Sequence, residues 1–338
     1  MIKALLSITA VLLSTASVSS MASMTKTPPI YKVSGQIAGS DGGWDYVNVD
    51  PETNQLLIAR MDSVTAVDLA TQVATKRTSA NHPHSAFPIP GTGAFLLSEG
   101  GSLRLIDAKT GETRFSIKTE NKPDGILWDA KRKQALAVSG DSGTVSIIDI
   151  GAGKLVGTLA LKKGLEFAVI DNHDTLWVNN EDASDMTPVK LATRKVMPSV
   201  KLTGCLKPSG LGYIASSNRL IAACANGVAA VVDPAKHAVA GLLKIGTRPD
   251  AVIVDAARSL AFIPCGGDGL LTMIDTSGAM PVVIGSVTTE RGARTGAVDP
   301  KTGNVYLPAA KYGPPATPGA RAPLLPGSFH VLVVSPQK

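Results

Sequence analysis

The chain has 338 residues, of which 18% are charged and only 4% aromatic, and its formal net charge is +6. Beyond its first residues no segment is long and apolar enough for a membrane helix, and the 3 cysteines form no C-x-x-C pair, which excludes covalent c-type haem and a zinc ribbon. The charge is too modest to demand or to exclude an anionic partner.

The N-terminus has the pattern of a secretory signal peptide over residues 1–22. Lys3 precedes an uncharged apolar run over residues 4–13, and small residues follow, with Ser20 and Ala22 in the positions that a signal peptidase reads. We therefore expect cleavage after Ala22. The mature chain, residues 23–338, should be periplasmic or secreted, a monomer, and not inserted in a membrane.

Aspartates recur at a fixed interval along the chain. Asp149, Asp233 and Asp275 each end a run of aliphatic residues, with separations of 84 and 42 residues, and Asp68 and Asp107 extend the series upstream. A period near forty residues with several short strands per period is typical of a β-propeller. The mature length then predicts an all-β, seven-bladed propeller of four-stranded antiparallel blades in a single domain.

Each predicted blade runs from an inner strand A to an outer strand D. The segment 31–37 precedes the first blade and resembles a strand D, so we expect it to complete blade 7 and close the ring. The residues at 311–328 are a Pro-rich insertion between strands B and C of blade 7, interpreted either as a lid or docking arm or as a tolerated insertion. The A strands are predicted at 43–50, 83–89, 123–129, 165–171, 208–214, 249–255 and 293–299.

One position is polar in every blade. It lies five residues before the end of strand A, and it should ring the channel mouth, where a polar or cationic ligand, or an envelope protein, can bind. The same residues can equally be solvated side chains of a wet channel. The seven ring residues are Asp45, His84, Asp124, Glu166, Ser209, Asp250 and Arg294.

Two histidines suggest a metal. Pro83 favours an extended His82, so His82 and His84 are expected to project to the same side, beside Asp45 or Asp124 of the adjacent blades. Such a group would suit a divalent ion, zinc or copper, with calcium a further option. The same spacing arises by chance, so the interpretation that no metal binds stays open.

The cysteines permit one disulfide. Cys205 precedes blade 5 and Cys224 ends its strand B, and we favour a bridge between them. Spacing does not determine connectivity, and three buried thiols are the alternative.

The stretches 142–161, 176–180 and 304–310 resemble the YVTN-type β-propeller repeat proteins of bacterial envelopes, within the quinoprotein amine dehydrogenase-like superfamily. Blades 2 and 5 depart from the pattern, because Ile89 and Ile214 stand where the other blades have the A–B turn aspartate. The resemblance implies repeat architecture, whereas related propellers include ligand-binding platforms, lactonases and other enzymes, so fold alone does not choose a function.

Three functions remain from the sequence. The favoured one is a non-enzymatic binding or docking propeller of the cell envelope. The second is a metal-dependent lactonase or lyase with Glu166 or Asp124 as the base. The third is nucleic-acid binding along the basic outer strands, with Trp44, Trp128 and Trp177 stacking on bases. The basic residues of that rim are Lys76, Arg77, Arg114, Lys118, Arg194, Lys195 and Lys201.

Overall fold

The computed structural model describes residues 29–120, 122–317 and 322–337, which form strands, turns and loops and no helix, so none of them forms a helix that could cross a membrane. The predicted signal peptide, residues 1–22, lies outside the described residues. The strands form seven separate antiparallel sheets. This arrangement confirms the predicted all-β, seven-bladed propeller.

The first three blades contain four strands each and follow one another along the chain. Blade 1 consists of β2 (Trp44–Asp50), β3 (Gln55–Arg60), β4 (Ser63–Asp68) and β5 (Ala74–Ser79). Blade 2 consists of β6 (Ala86–Ile89), β7 (Ala94–Glu99), β8 (Ser102–Asp107) and β9 (Thr113–Lys118). Blade 3 consists of β10 (Pro123–Asp129), β11 (Gln134–Ser139), β12 (Thr144–Asp149) and β13 (Lys154–Ala160).

The next three blades repeat this order, although the outer strand of blade 4 is divided. Blade 4 consists of β14 (Leu165–Ile170), β15 (Thr175–Asn180), β16 (Asp185–Lys190), β17 (Lys195–Val196) and β18 (Val200–Lys201). Pro198 lies between the last two and has no backbone N–H to continue a ladder. Blade 5 consists of β19 (Pro208–Ile214), β20 (Arg219–Cys224), β21 (Val228–Asp233) and β22 (Ala238–Lys244). Blade 6 consists of β23 (Ile253–Asp255), β24 (Leu260–Cys265), β25 (Leu270–Asp275) and β26 (Val282–Thr288).

Blade 7 joins the two ends of the described chain. Its strands are β27 (Ala297–Val298), β28 (Val305–Ala309), β29 (His330–Pro336) and β1 (Tyr31–Ala38). Strand β1 pairs antiparallel with β29, from Tyr31 opposite Pro336 to Ala38 opposite His330. The predicted closure by residues 31–37 is therefore confirmed, and it covers the edge that β29 would otherwise expose.

The apolar core lies between blades rather than in one central cluster. The inner strands of neighbouring blades contact one another around the axis, and each buried cluster draws side chains from adjacent blades. In the cluster between blades 2 and 3, Leu96 and Leu103 pack with Ala135 and Ile148, all fully buried. The repeat of small and branched side chains thus serves packing between sheets.

The insertion of blade 7 begins as a short hairpin. Gly313 donates its N–H to the Pro323 carbonyl at 2.9 Å, and Leu325 donates to the Lys311 carbonyl at 2.9 Å. At its base, the Asp41 carboxylate accepts the backbone N–H groups of Gly327 (2.5 Å) and Phe329 (3.3 Å). The insertion therefore leaves the blade on a hydrogen-bonded stem, while residues 318–321 lie outside the described part.

Candidate functional site

The inner strands are interrupted at the ring position. The A–B ladder shifts register between Trp44 and Val47 in blade 1, and the ring residue Asp45 lies inside that shift. The same shift encloses Asp124, Glu166 and Ser209 in blades 3, 4 and 5. A β-bulge of this kind turns a side chain away from its alternation along the strand.

In blades 2, 6 and 7 the continuous inner strand is shorter than predicted. It begins at Ala86, Ile253 and Ala297, after the ring residues His84, Asp250 and Arg294 rather than before them. An isolated bridge between Pro249 and Cys265 shows that pairing exists on both sides of the interruption in blade 6. The ladder is thus broken at the ring position, which alternation along a sequence does not reveal.

Three ring residues from consecutive blades converge. The His84 Nδ1 atom lies 2.8 Å from Asp45 Oδ2 and 3.3 Å from Asp124 Oδ1. The hydrogen bond to Asp45 and the charge of Asp124 raise the pKa of His84, although burial opposes them. Burial, with the charge of Asp45, raises the pKa of Asp124 to about 6, against the effect of His84.

A second chain of contacts occupies the other side of the ring. Arg294 Nε donates to Asp250 Oδ2 at 2.7 Å, and the Ser209 hydroxyl donates to Asp250 Oδ1 at 2.5 Å. Burial raises the pKa of Asp250, and these two donors offset part of that effect. Six of the seven ring residues therefore form two bonded groups of three.

Glu166 lies between these groups, and its pKa is also raised. Burial, followed by the charges of Asp124 and Asp250, raises its pKa to about 9. At neutral pH this carboxyl keeps its proton. Glu166 is thus an acid in the protein as it stands, and the expectation that it acts as a base does not fit this environment.

An aromatic pair crosses the channel next to the ring. Tyr46 of blade 1 stacks on Phe167 of blade 4, with ring centroids 4.4 Å apart and planes at 21°. Burial and the ring carboxylates, Asp124 first, raise the pKa of Tyr46. A Cβ atom on Gly125 would lie 3.1 Å from the Tyr46 hydroxyl, so the absence of a side chain there makes room for it.

The stacked pair also borders a cavity on its other side. This cavity has a volume of about 390 Å³ and is lined by Tyr46, Phe167 and aliphatic residues that include Val252 and Val298. The residues that line the cavity lie on the inner strands and near the A–B turns. The ring carboxylates lie at the opposite ends of the same strands. The channel thus has an acidic mouth and an apolar far side, with an aromatic pair between them.

His82 does not join the cluster, contrary to the expectation of two histidines on one side. Among the described residues, the group with metal-ligand spacing consists of Asp45, His84 and Asp124. His82 has a left-handed backbone with φ of 47°, in place of the extended form that Pro83 favours, and its exposed ring contacts Asn81. The pairing of the two histidines is therefore wrong for this structure.

Other candidate residues have structural surroundings. Cys205 and Cys224 form a disulfide with their Cα atoms 5.5 Å apart, and Cys265 is a buried thiol. Trp177 is buried, and its indole N–H donates to Asp171 at 2.8 Å, so it offers no face to a nucleobase. Trp44 packs against the cluster around Phe329.

Several basic residues of the rim have local partners. Arg114 pairs with Asp107 at 2.7 Å, and Arg77 donates to the Lys109 carbonyl at 2.6 Å. Lys76 faces Asp62 at 3.5 Å, and Lys201 Nζ donates to the Ala183 carbonyl at 2.5 Å. These contacts, with the packed tryptophans, do not favour a nucleic-acid interface.

Comparison with known proteins supports the fold alone. No family model matches the chain, and no curated sequence matches it. The resemblance to the YVTN-type repeat therefore stays a prediction.

Solved structures do match over most of the chain. A chain of hydrazine synthase from Kuenenia stuttgartiensis is 16% identical with a TM-score of 0.66, covering 81% of this chain and 95% of its own. The RRP9 WD40 repeats are 9% identical with a TM-score of 0.75, covering 91% and 100%. A chain of the mitotic checkpoint complex is 11% identical with a TM-score of 0.74, covering 98% and 99%. The protein is a WD40-like propeller in architecture.

Proposed function

We propose that this protein is an exported binding propeller of the bacterial cell envelope that holds a positively charged ligand at its channel mouth. The observation that carries the proposal is the convergence of four ring carboxyl groups against one histidine and one arginine. Propellers with WD40-like architecture occur in multiprotein assemblies such as the mitotic checkpoint complex, which supports a binding role in general.

The charge of the ring favours a cation. Arg294 is engaged by Asp250, and His84 is shared between two aspartates. Raised pKa values at Asp124 and Glu166 mean that a buried negative charge there is costly. A bound cation would relieve that cost, whereas an anion would increase it.

The aromatic pair supports the same ligand class. The charges of the ring carboxylates act on Tyr46, which stacks on Phe167, and the uncovered face of an aromatic ring attracts a cation. A metal ion, an organic ammonium group and a lysine side chain of a partner protein all meet this description.

The test is thermal unfolding of the mature chain with a panel of cations and anions. We expect Zn²⁺, tetramethylammonium or a lysine-rich peptide, but not citrate, to raise the Tm at low ionic strength. The double variant Asp45→Asn/Asp250→Asn should lose the effect, and Glu120→Gln, which alters an exposed carboxyl, should retain it. If citrate raises the Tm, or if no cation does, the proposal fails.

Export rests on the pattern of residues 1–22. Cell fractionation followed by N-terminal sequencing should recover a chain that begins at Ser23 outside the cytoplasm. A cytoplasmic chain that keeps its first residues would contradict export and leave the mouth proposal intact.

The alternative is a metal-dependent lactonase or lyase, which the grouping of Asp45, His84 and Asp124 favours. Asp124 is then one of the metal ligands, and Glu166, whose pKa burial raises to about 9, is the candidate acid. Turnover of a lactone by the zinc-loaded chain, absent after chelation, would favour the enzyme over the binding protein.

A further inference from the structure

We propose that Asp45, His84 and Asp124 form a binding site for one divalent transition-metal ion of the zinc class. This inference deepens the proposed function and rests on it. One donor atom from each residue, the His84 Nδ1 and two carboxylate oxygens, lies within 4.8 Å of the others. The residues come from three consecutive blades, so the site forms only when these blades pack against one another.

The two distances from the His84 Nδ1 atom are close to those of a coordination polyhedron. Bonds of about 2.0–2.1 Å to zinc place neighbouring ligand atoms about 2.9–3.4 Å apart in octahedral or tetrahedral geometry. The His84 Nδ1 lies 2.8 Å from Asp45 Oδ2 and 3.3 Å from Asp124 Oδ1. Nδ1 carries a single hydrogen when protonated, so it cannot satisfy both carboxylates equally, whereas a central cation can.

Backbone hydrogen bonds hold the three ligands in place. Tyr46 donates its N–H to the His84 carbonyl at 3.0 Å, and His84 donates to the Ser98 carbonyl at 3.1 Å. The Ser98 hydroxyl donates to the Asp124 carbonyl at 3.2 Å, and the Thr295 hydroxyl donates to the Asp45 carbonyl at 3.0 Å. Folding has therefore already ordered the three ligands. Metal binding does not have to offset that loss of conformational entropy, which favours binding.

A buried polar atom without a partner lies beside the cluster. The Tyr46 hydroxyl oxygen is buried and has no hydrogen-bond partner among the described residues. It lies near Gly125, which follows Asp124 directly, and the charges of Asp124, Glu166 and Asp45 act on it. A buried hydroxyl is usually hydrogen-bonded, and a water or anion held by a metal ion would supply the missing partner.

The ligand set selects the class of metal. One imidazole nitrogen and two carboxylate oxygens suit zinc and its first-row neighbours. Calcium takes 6–8 oxygen ligands, and the imidazole is a poor replacement for one of them. We therefore expect Zn²⁺ to bind more tightly than Ca²⁺.

The experiment is isothermal titration of the chelator-treated mature chain with Zn²⁺ and with Ca²⁺. Wild type should bind one Zn²⁺ per chain, and His84→Ala should weaken binding by about 100-fold or more, the upper range for loss of even an outer ligand contact. His82→Ala is the matched control, because it removes an exposed imidazole two residues away and should leave the affinity unchanged. Asp124→Asn, which keeps the shape of the side chain, should also weaken binding, and metal-free circular dichroism checks that each variant is folded.

Three outcomes would overturn the inference: no stoichiometric zinc in wild type, unchanged affinity in folded His84→Ala and Asp124→Asn, or equal losses in His82→Ala and His84→Ala. If Zn²⁺ fails to bind while tetramethylammonium or the lysine-rich peptide still raises the Tm, the metal site is wrong and the cationic mouth stands. If no cation binds at all, both are wrong.

Discussion

At the scale of single residues, two acids on one inner strand have opposite surroundings. Asp129 ends the strand, and its Oδ1 accepts the backbone N–H groups of Lys131 (3.1 Å) and Arg132 (3.2 Å). Asp124 is the second residue of the strand, faces His84, and has a pKa raised to about 6 by burial and by Asp45. The hydrogen bonds to the backbone make Asp129 a turn-forming residue. The burial and the neighbouring charge that raise the pKa of Asp124 assign that residue to the candidate site.

The raised pKa of Glu166 predicts a pH-dependent stability. Between pH values of about 4.5 and 9, the folded chain keeps the proton that the unfolded chain has released. The folded state binds more protons in that window, so the free energy of unfolding falls as pH rises. The upper bound is about 1.4 kcal/mol for each pH unit across the window, reduced by solvent screening.

Glu166→Gln removes this titration, because glutamine is neutral in both states. We expect the variant to gain stability relative to wild type as pH rises from 5 to 8 (roughly the span of the window), measured by urea unfolding. Glu120→Gln, at an exposed carboxyl, should show no such trend. A constant difference between Glu166→Gln and wild type across this range would refute the raised pKa.

At the scale of strands, the bulges direct the ring side chains, and the turn aspartates stabilise the opposite ends of the inner strands. The register shift at the ring position aims Asp45, Asp124, Glu166 and Ser209 at the channel. Contacts between blades then fix these strand ends, as when Asn179 donates to the Ser209 carbonyl at 3.0 Å. The count of five residues back from the A–B turn position predicted which residues lie at this strand end, because that offset is the same in every blade although the spacing between ring residues varies from 39 to 44. It did not predict their grouping, which depends on side-chain directions set by the bulges.

The A–B turn of blade 4 offers a test of the turn aspartates. Buried Asp171 accepts the N–H groups of His173 (2.8 Å) and Thr175 (2.9 Å) and the Trp177 indole N–H (2.8 Å). Asp171→Ala leaves these donors without their acceptor, and we expect a loss of about 2–5 kcal/mol in the free energy of unfolding.

The comparison is Asp275→Ala, at a half-buried turn aspartate whose Oδ1 accepts, among the described residues, only the Ser277 N–H, at 2.8 Å. Chemical denaturation should show a loss of about 1 kcal/mol or less for this variant. Equal losses in the free energy of unfolding for the two variants would mean that burial of the turn aspartate does not determine the size of the loss.

At the scale of the whole molecule, closure of the ring decides whether the mouth exists. The strand β1 completes blade 7 through its ladder with β29, and Tyr31 packs edge-on against Phe262 of blade 6 with centroids 5.0 Å apart. The hydroxyl of Thr295 in blade 7 contacts the Asp45 carbonyl in blade 1 at 3.0 Å. Losing the first strand would therefore disturb the ring residues directly next to the closure.

A chain that begins at Gly39 lacks β1 and should be strongly destabilised. Tyr31 and Ile37 are buried, and removal of two buried side chains costs about 3–6 kcal/mol before the lost ladder is counted. The β29 edge would also be exposed to pairing between molecules. We expect a lower Tm and aggregation in size-exclusion chromatography, whereas a chain that begins at Pro29 should match the mature protein. An unchanged Tm for the shorter chain would rule out closure by β1.

The sequence by itself determined the architecture of this protein, because repeat length, strand alternation and turn aspartates are local properties that recur in each blade. It also predicted the ring, since equivalent positions of successive blades lie around one axis. Only the tertiary structure decided that His84 bridges Asp45 and Asp124 without His82, that Glu166 keeps its proton, and that Tyr46 reaches across the channel to Phe167. These features depend on burial, on bulges and on contacts between distant blades. Contacts between residues that lie far apart in the sequence cannot be inferred from a single repeat.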